Sequence, residues 1–228
     1  METRTVGDNV PLKSLLEKIE EELKKKEELR QELQKDMRRA TRLSKQAILF
    51  VHQERFDDAK KLLKEASERL AKLNEISKDN QELIYTGLVN AAFEEYVEAN
   101  TLFTLIKEER FIKPEELGVP SISYVLGLSD VIGELRRKTL DSLRKGDIET
   151  AENCMQTMEH IYIELTSMDD AYLLVPGLRR KCDVARRVIE TTRGDLIVEA
   201  RRRSLERSIK ELEKKIRSKR NVGKKKTQ

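Results

Sequence analysis

The chain has 228 residues, of which 39% are charged, 38% hydrophobic and only 4% aromatic. Nine glycines, four prolines and no tryptophan are too few for an all-β fold, which needs frequent turns and strand-forming aromatics. The net charge of +4 is uneven: residues 214–228 hold eight Lys and Arg and no acid, leaving the first 213 residues at −4, an acidic body with a basic tail.

In chain order, residues 1–10 read as a flexible N-terminus. A first helix begins after Pro11 and runs to about Gln53, with Leu12, Leu15, Leu16, Ile19 and Leu23, then Leu29, Leu33 and Met37, in helical spacing. A helix of that length must lie across other helices or other subunits. A second helix spans about 56–78, with a stripe of Ala59, Leu62, Leu63, Ala66 and Leu70. The third, about 80–108, is apolar round most of its circumference, which makes it central, yet it carries Glu94, Glu95 and Glu98. A connector at 109–120 holds a short helical turn starting at Pro114.

A further helix runs from Ser121 to Lys145 and stops at Gly146-Asp147, a C-cap glycine followed by an N-cap aspartate. Another covers about 148–168, Asp169 to Gly177 reads as a loop, and a last helix runs from Leu178 to about Lys219 with a kink expected near Gly194. The architecture expected is an all-α, antiparallel bundle of six or seven helices, several of them long. Its divisions are a helical domain over 11–197, a helical extension over 198–219 and a basic disordered tail over 220–228.

Several chemistries are disfavoured. Cys154 and Cys182 make no disulfide framework and share no metal-type spacing with His52 and His160. No apolar run approaches the ~20 residues of a membrane span, and the N-terminus lacks the apolar core of a signal peptide, so a cytoplasmic protein is expected. No Gly-rich phosphate loop and no nucleophilic Ser or Cys motif is present.

The chemistry lies in two acidic pairs. Glu95 and Glu98 are i,i+3 on the third helix; Asp130 and Glu134 are i,i+4 on the Ser121–Lys145 helix, within otherwise apolar segments. If those helices pack side by side, four carboxylates converge, and their repulsion demands a divalent cation. Oxygen ligands without His or Cys select Mg²⁺ or Mn²⁺, ions that hold phosphate oxygens and support phosphodiester cleavage. The competing reading is a solvated acidic face paired with nearby Arg and Lys, and spacing leaves open whether Glu94 or Glu95 is the working residue.

The run FEEYVEANTLFTLIK at 93–107, followed by SYVLGLSDVIGELRRKTLDSLRKGDIE at 123–149, resembles the translin family, in particular its translin-associated factor X-like, catalytic-type subunits. The matches are Glu95-Tyr96-Val97-Glu98-Ala99, Tyr124-Val125-Leu126-Gly127, Asp130, Gly133-Glu134-Leu135 and Gly146-Asp147-Ile148, with a looser one around Ser44-Lys45 and His52. The resemblance implies an all-α fold assembled into a closed, octamer-like homo-oligomeric shell. It also implies an Mg²⁺-dependent endoribonuclease with Glu95, Glu98 and Asp130 as catalytic, metal-holding carboxylates; Glu134 joins them by its position. Two departures stand out: the chain lacks the long insertion some members carry between the acidic helices, and its last helix extends past Asp195.

For nucleic acid, Arg38, Arg42 and Lys45 follow one helical face, and no acid interrupts 37–53. Arg137 stands beside the second acidic pair. Sparse aromatics argue against base stacking and for backbone contacts with weak sequence preference. RNA is therefore the expected partner, with single-stranded DNA as a further candidate. The alternatives are a non-catalytic translin-like assembly that binds single-stranded RNA or DNA, and a coiled-coil scaffold.

Overall fold

A computed structural model describes residues 12–77, 87–168 and 170–225. The expected flexible N-terminus lies outside them, as do residues 78–86, where the third helix is expected to begin. Among the described residues the chain is helical, with no strand: α1 Leu12–His52, α2 Phe56–Ser77, α3 Gly87–Glu108, α4 Pro114–Leu117, α5 Ser121–Lys145, α6 Ile148–Thr166, α7 Ala171–Leu174 and α8 Leu178–Lys225. The chain divides into two compact units, one of residues 1–103 and 112–123, the other of 104–111 and 124–228.

In the first unit α1 packs along α2. Leu33, Met37, Ala40, Ser44, Ala47 and Val51 recur every three or four residues along α1 and are buried, whereas Leu12, Leu16, Ile19 and Leu23 in the same register are exposed. The 22 residues of α2 are too short to cover the 41 of α1, so the early turns overhang. Arg39 pairs with Glu65 at 3.0 Å and Arg69 with Asp36 at 2.5 Å, fixing the two helices in register. Phe93, Val97 and Leu102 of α3 are almost wholly buried, each contributing about 2–3 kcal/mol of transfer free energy. At α4, the Lys113 N–H donates to Glu116 Oε1 at 2.8 Å, and Gly118, at φ 62°, closes the helix.

In the second unit α6 packs along α8. Met158, Ile161, Leu178 and Leu135 are buried at its centre. The α5–α6 junction is the expected one. Gly146 has φ +88°, and the Asp147 carboxylate accepts from the Thr150 N–H at 3.0 Å. Arg203 Nη1 donates to the Gly146 carbonyl at 2.5 Å, so α8 is tied to that corner. Arg136 of α5 donates to Thr192 Oγ1 at 2.7 Å and to Asp195 at 3.2 Å.

Three expectations change. The stretch after Asp169 contains a short helix, α7, because Ala171-Tyr172-Leu173-Leu174 are helix formers ahead of Pro176. The last helix passes Gly194 without a break, since one glycine costs only about 1 kcal/mol in a helix that Arg136 clamps on either side of it. It also continues to Lys225, so residues 220–225 are helical rather than a disordered tail.

Candidate metal and nucleic-acid site

The α3 sequence dictates how its acids are presented. Phe93, Tyr96, Val97 and Asn100 are buried, so at 100° per residue Glu94, Glu98 and Glu95 fall on the opposite arc of the helix. Tyr96 fixes the rotation: its phenol hydrogen-bonds with Ser67 of α2 and with Asn100, and burial raises its pKa. The Asn100 amide in turn donates to the Tyr96 carbonyl at 2.8 Å. All three glutamates are half-buried rather than fully solvated.

Lys45 of α1 reaches Glu95, with Nζ 3.0 Å from Oε1; the glutamate side chain is 24% exposed and the lysine 62%. Glu95 thus faces a cation from another helix. Arg38 and Arg42 are exposed on α1, as a phosphate-contacting stripe requires. Arg39, between them in sequence, is committed to Glu65.

On α5, Asp130 and Glu134 are also half-buried, one turn apart, between the buried Leu126, Val131 and Leu135. The Lys181 ammonium of α8 sits against Asp130 Oδ2 and also donates to the Leu126 carbonyl at 3.5 Å. Glu134 has the Arg137 guanidinium at 3.8 Å on its own helix. A cleft of about 410 Å³ opens here, lined by Asp130, Gly133, Gly177, Arg180, Lys181 and Val184. An acid, two cations and an apolar wall share it.

Each pair of acids is thus met by a lysine from another helix. Among the described residues no three His, Cys, Asp or Glu side chains are grouped to hold a metal ion. Electrostatics explains the pairing: a half-buried carboxylate is stabilised by a cation within reach. The donor chemistry nonetheless suits a hard divalent cation, since every donor is a carboxylate oxygen.

Lys181 has no signature in the sequence: it is the third member of a basic run, Arg179-Arg180-Lys181, with nothing local to single it out. Its partner lies 51 positions away, so only packing could identify it. Two of the four residues expected on phosphates, Lys45 and Arg137, stand beside the candidate metal ligands.

With this geometry in place, comparisons with known proteins become informative. The Translin family matches residues 28–191. An uncharacterized protein of Methanocaldococcus jannaschii is 34% identical over 184 residues, which are 77% of this chain and 78% of the relative. Among solved structures, apo-NeC3PO superposes with a TM-score of 0.74 at 31% identity, over 85% of this chain and 100% of the other. AfC3PO in complex with duplex RNA gives a TM-score of 0.72 at 36% identity, over 82% of this chain and 97% of the other. These structures share the all-α fold. Among the described residues no helix is long and apolar enough to cross a membrane.

Proposed function

The chain belongs to the translin family, and on that premise we propose that it is a metal-dependent endoribonuclease of the family's catalytic, factor X-like type, working as a homo-oligomeric shell on RNA. The observation that carries this reading is the pair of half-buried acidic turns, Glu95/Glu98 and Asp130/Glu134, each answered by a lysine from another helix. The likeness to AfC3PO, solved with duplex RNA, supports the choice of substrate.

Glu95, Glu98, Asp130 and Glu134 would hold Mg²⁺, or Mn²⁺ in its place. Such an ion, when bound, polarises a phosphoryl oxygen and lowers the pKa of water. The protein's own groups do the rest. One carboxylate accepts the proton of the attacking water. Lys45, Lys181 and Arg180 supply positive charge where a scissile phosphate would lie, and exposed Arg38 and Arg42 hold the flanking backbone. Sequence preference is weak, because no aromatic platform is offered to bases.

A second reading is a non-catalytic RNA-binding assembly. It is favoured by the absence, among the described residues, of any three ligand-type side chains already grouped for a metal. Incubating the pure chain with end-labelled RNA in Mg²⁺ or in EDTA separates the two. Cleavage in Mg²⁺ only supports the nuclease. Salt-sensitive binding without cleavage supports the second reading.

A further inference from the structure

The last part of α8 lies beyond the family match, which ends at residue 191, and nothing in the site above uses it. Among the described residues Leu196 is the last buried apolar side chain of the helix, and Arg203 ties α8 to the Gly146 carbonyl of its own unit. From there Leu205 is 62% exposed, Ile209 49%, Leu212 59% and Ile216 51%, with Val198 at 68% one turn and more before them. The helix itself continues to Lys225, so these residues stand on a regular scaffold.

Their order is informative. Val198, Leu205, Ile209, Leu212 and Ile216 are separated by seven, four, three and four residues. That spacing places Val198, Leu205 and Leu212 at heptad position d, and Ile209 and Ile216 at position a. β-Branched residues at a with leucine at d favour two parallel strands over three or four. Arg202 occupies the remaining a position, a polar interruption of the kind that fixes register.

The flanks agree. Position e is acidic throughout, with Glu199, Glu206 and Glu213; position g holds Arg201, Ser208 and Lys215. Two parallel copies bring position g of one chain against position e of the next heptad of the other, so Arg201 meets the partner's Glu206. Two antiparallel copies bring e against e and stack glutamate on glutamate. Arg202 pairs with the exposed Glu206 at 3.7 Å, which contributes little that pairing would forfeit, and with Glu199 at 2.8 Å, a half-buried acid that Arg203 also holds at 3.2 Å.

The exposed stripe of α1 has no such self-complementarity. Leu12, Leu16, Ile19 and Leu23 are flanked by Lys13, Glu20 and Glu27 on one side and by Leu15 and Glu22 on the other, so two parallel copies would set Glu22 against Glu27. A surface built for RNA would carry its positive charge along the seam, whereas here the seam is aliphatic at every position but Arg202.

We propose that residues 198–216 of α8 form a parallel, in-register two-stranded coiled coil with the same segment of a second copy of this chain. The contact is separate from the acidic site and stands whether or not the chain cleaves RNA.

The test uses the full chain carrying Ile209→Cys, Ile216→Cys or, as an outward-facing control, Arg207→Cys. Native Cys154 and Cys182 are buried. Diamide takes two electrons and two protons from a thiol pair, and non-reducing gels read the disulfide-linked dimer. Parallel pairing predicts that Ile209→Cys and Ile216→Cys each link to themselves at least tenfold faster than Arg207→Cys. Adding Leu205→Glu and Leu212→Glu to Ile209→Cys should cut that rate at least tenfold with the far-ultraviolet circular dichroism of the body intact. Equal rates at all three positions would overturn the proposal. So would linkage only in mixtures of Ile209→Cys with Leu212→Cys, which means antiparallel pairing, or only with Leu16→Cys, which means α1 is the occupant.

Discussion

Replacing Lys181 by methionine removes the ammonium from Asp130 while keeping most of the aliphatic stem. The two side chains are 27% and 37% exposed, so the pair sits between a solvent-exposed bridge, worth up to about 1 kcal/mol, and a buried one, whose rupture costs about 3–5 kcal/mol. A loss of about 1–2 kcal/mol in EDTA follows, readable by urea unfolding. The same quantity appears with opposite sign in metal binding. A cation bound by Asp130 must first displace the lysine, and the variant is spared that step. At 1.4 kcal/mol per factor of ten, Lys181→Met should bind Mg²⁺ or Mn²⁺ about 5–30-fold more tightly than the unmodified chain. Isothermal titration of the full chain measures this directly, with no substrate present. An unchanged or weaker affinity in a folded, EDTA-destabilised variant would refute the argument, because Asp130 would then not be a ligand.

The remaining predictions concern other parts of the chain. Gly146→Ala should destabilise by about 1–2 kcal/mol in thermal or urea unfolding, because its φ of +88° disfavours a side chain and an added Cβ would meet the Arg203 guanidinium. Burial pushes the Cys154 thiol up to about 11 from 9.0, so the native chain should resist iodoacetamide at this position near pH 8, as peptide mapping will show. Because the folded pKa is the raised one, the stability this thiol contributes is complete below pH 9 and is lost as pH rises through about 11. Cys154→Ala should therefore show a shallower decline over that window. Arg38→Ala with Arg42→Ala should weaken RNA binding uniformly across sequences and reduce the log–log salt slope by about one to two, measured by fluorescence anisotropy.

Most of the fold was legible because its determinants are local. The stripe Ala59, Leu63, Ala66, Leu70 forecasts α2, and Gly146-Asp147 forecasts the α5–α6 corner, since a C-cap and an N-cap act on residues within one turn. What escaped was tertiary. Gly194 reads as a kink until Arg136 is seen to grip Thr192 and Asp195 on either side. The acidic residues were legible as a type and spacing, but their partners were not: Lys45 read as a phosphate contact and Lys181 as one charge in a run. Both lysines lie some 50 positions from their acids, and no periodicity encodes that distance.

On the proposed reading the acids of α3 and α5 cut RNA, while exposed Arg38 and Arg42 hold its backbone. The most direct measurement is single-turnover cleavage of labelled RNA in saturating Mg²⁺ by the intact chain and by Glu98→Gln/Asp130→Asn, with binding of the same RNA followed in parallel. The account predicts that the double variant loses at least ~10³-fold in rate, as removal of groups essential to metal-assisted chemistry does, with RNA affinity changed less than about threefold. Cleavage that persists in the double variant, or in EDTA, would contradict it.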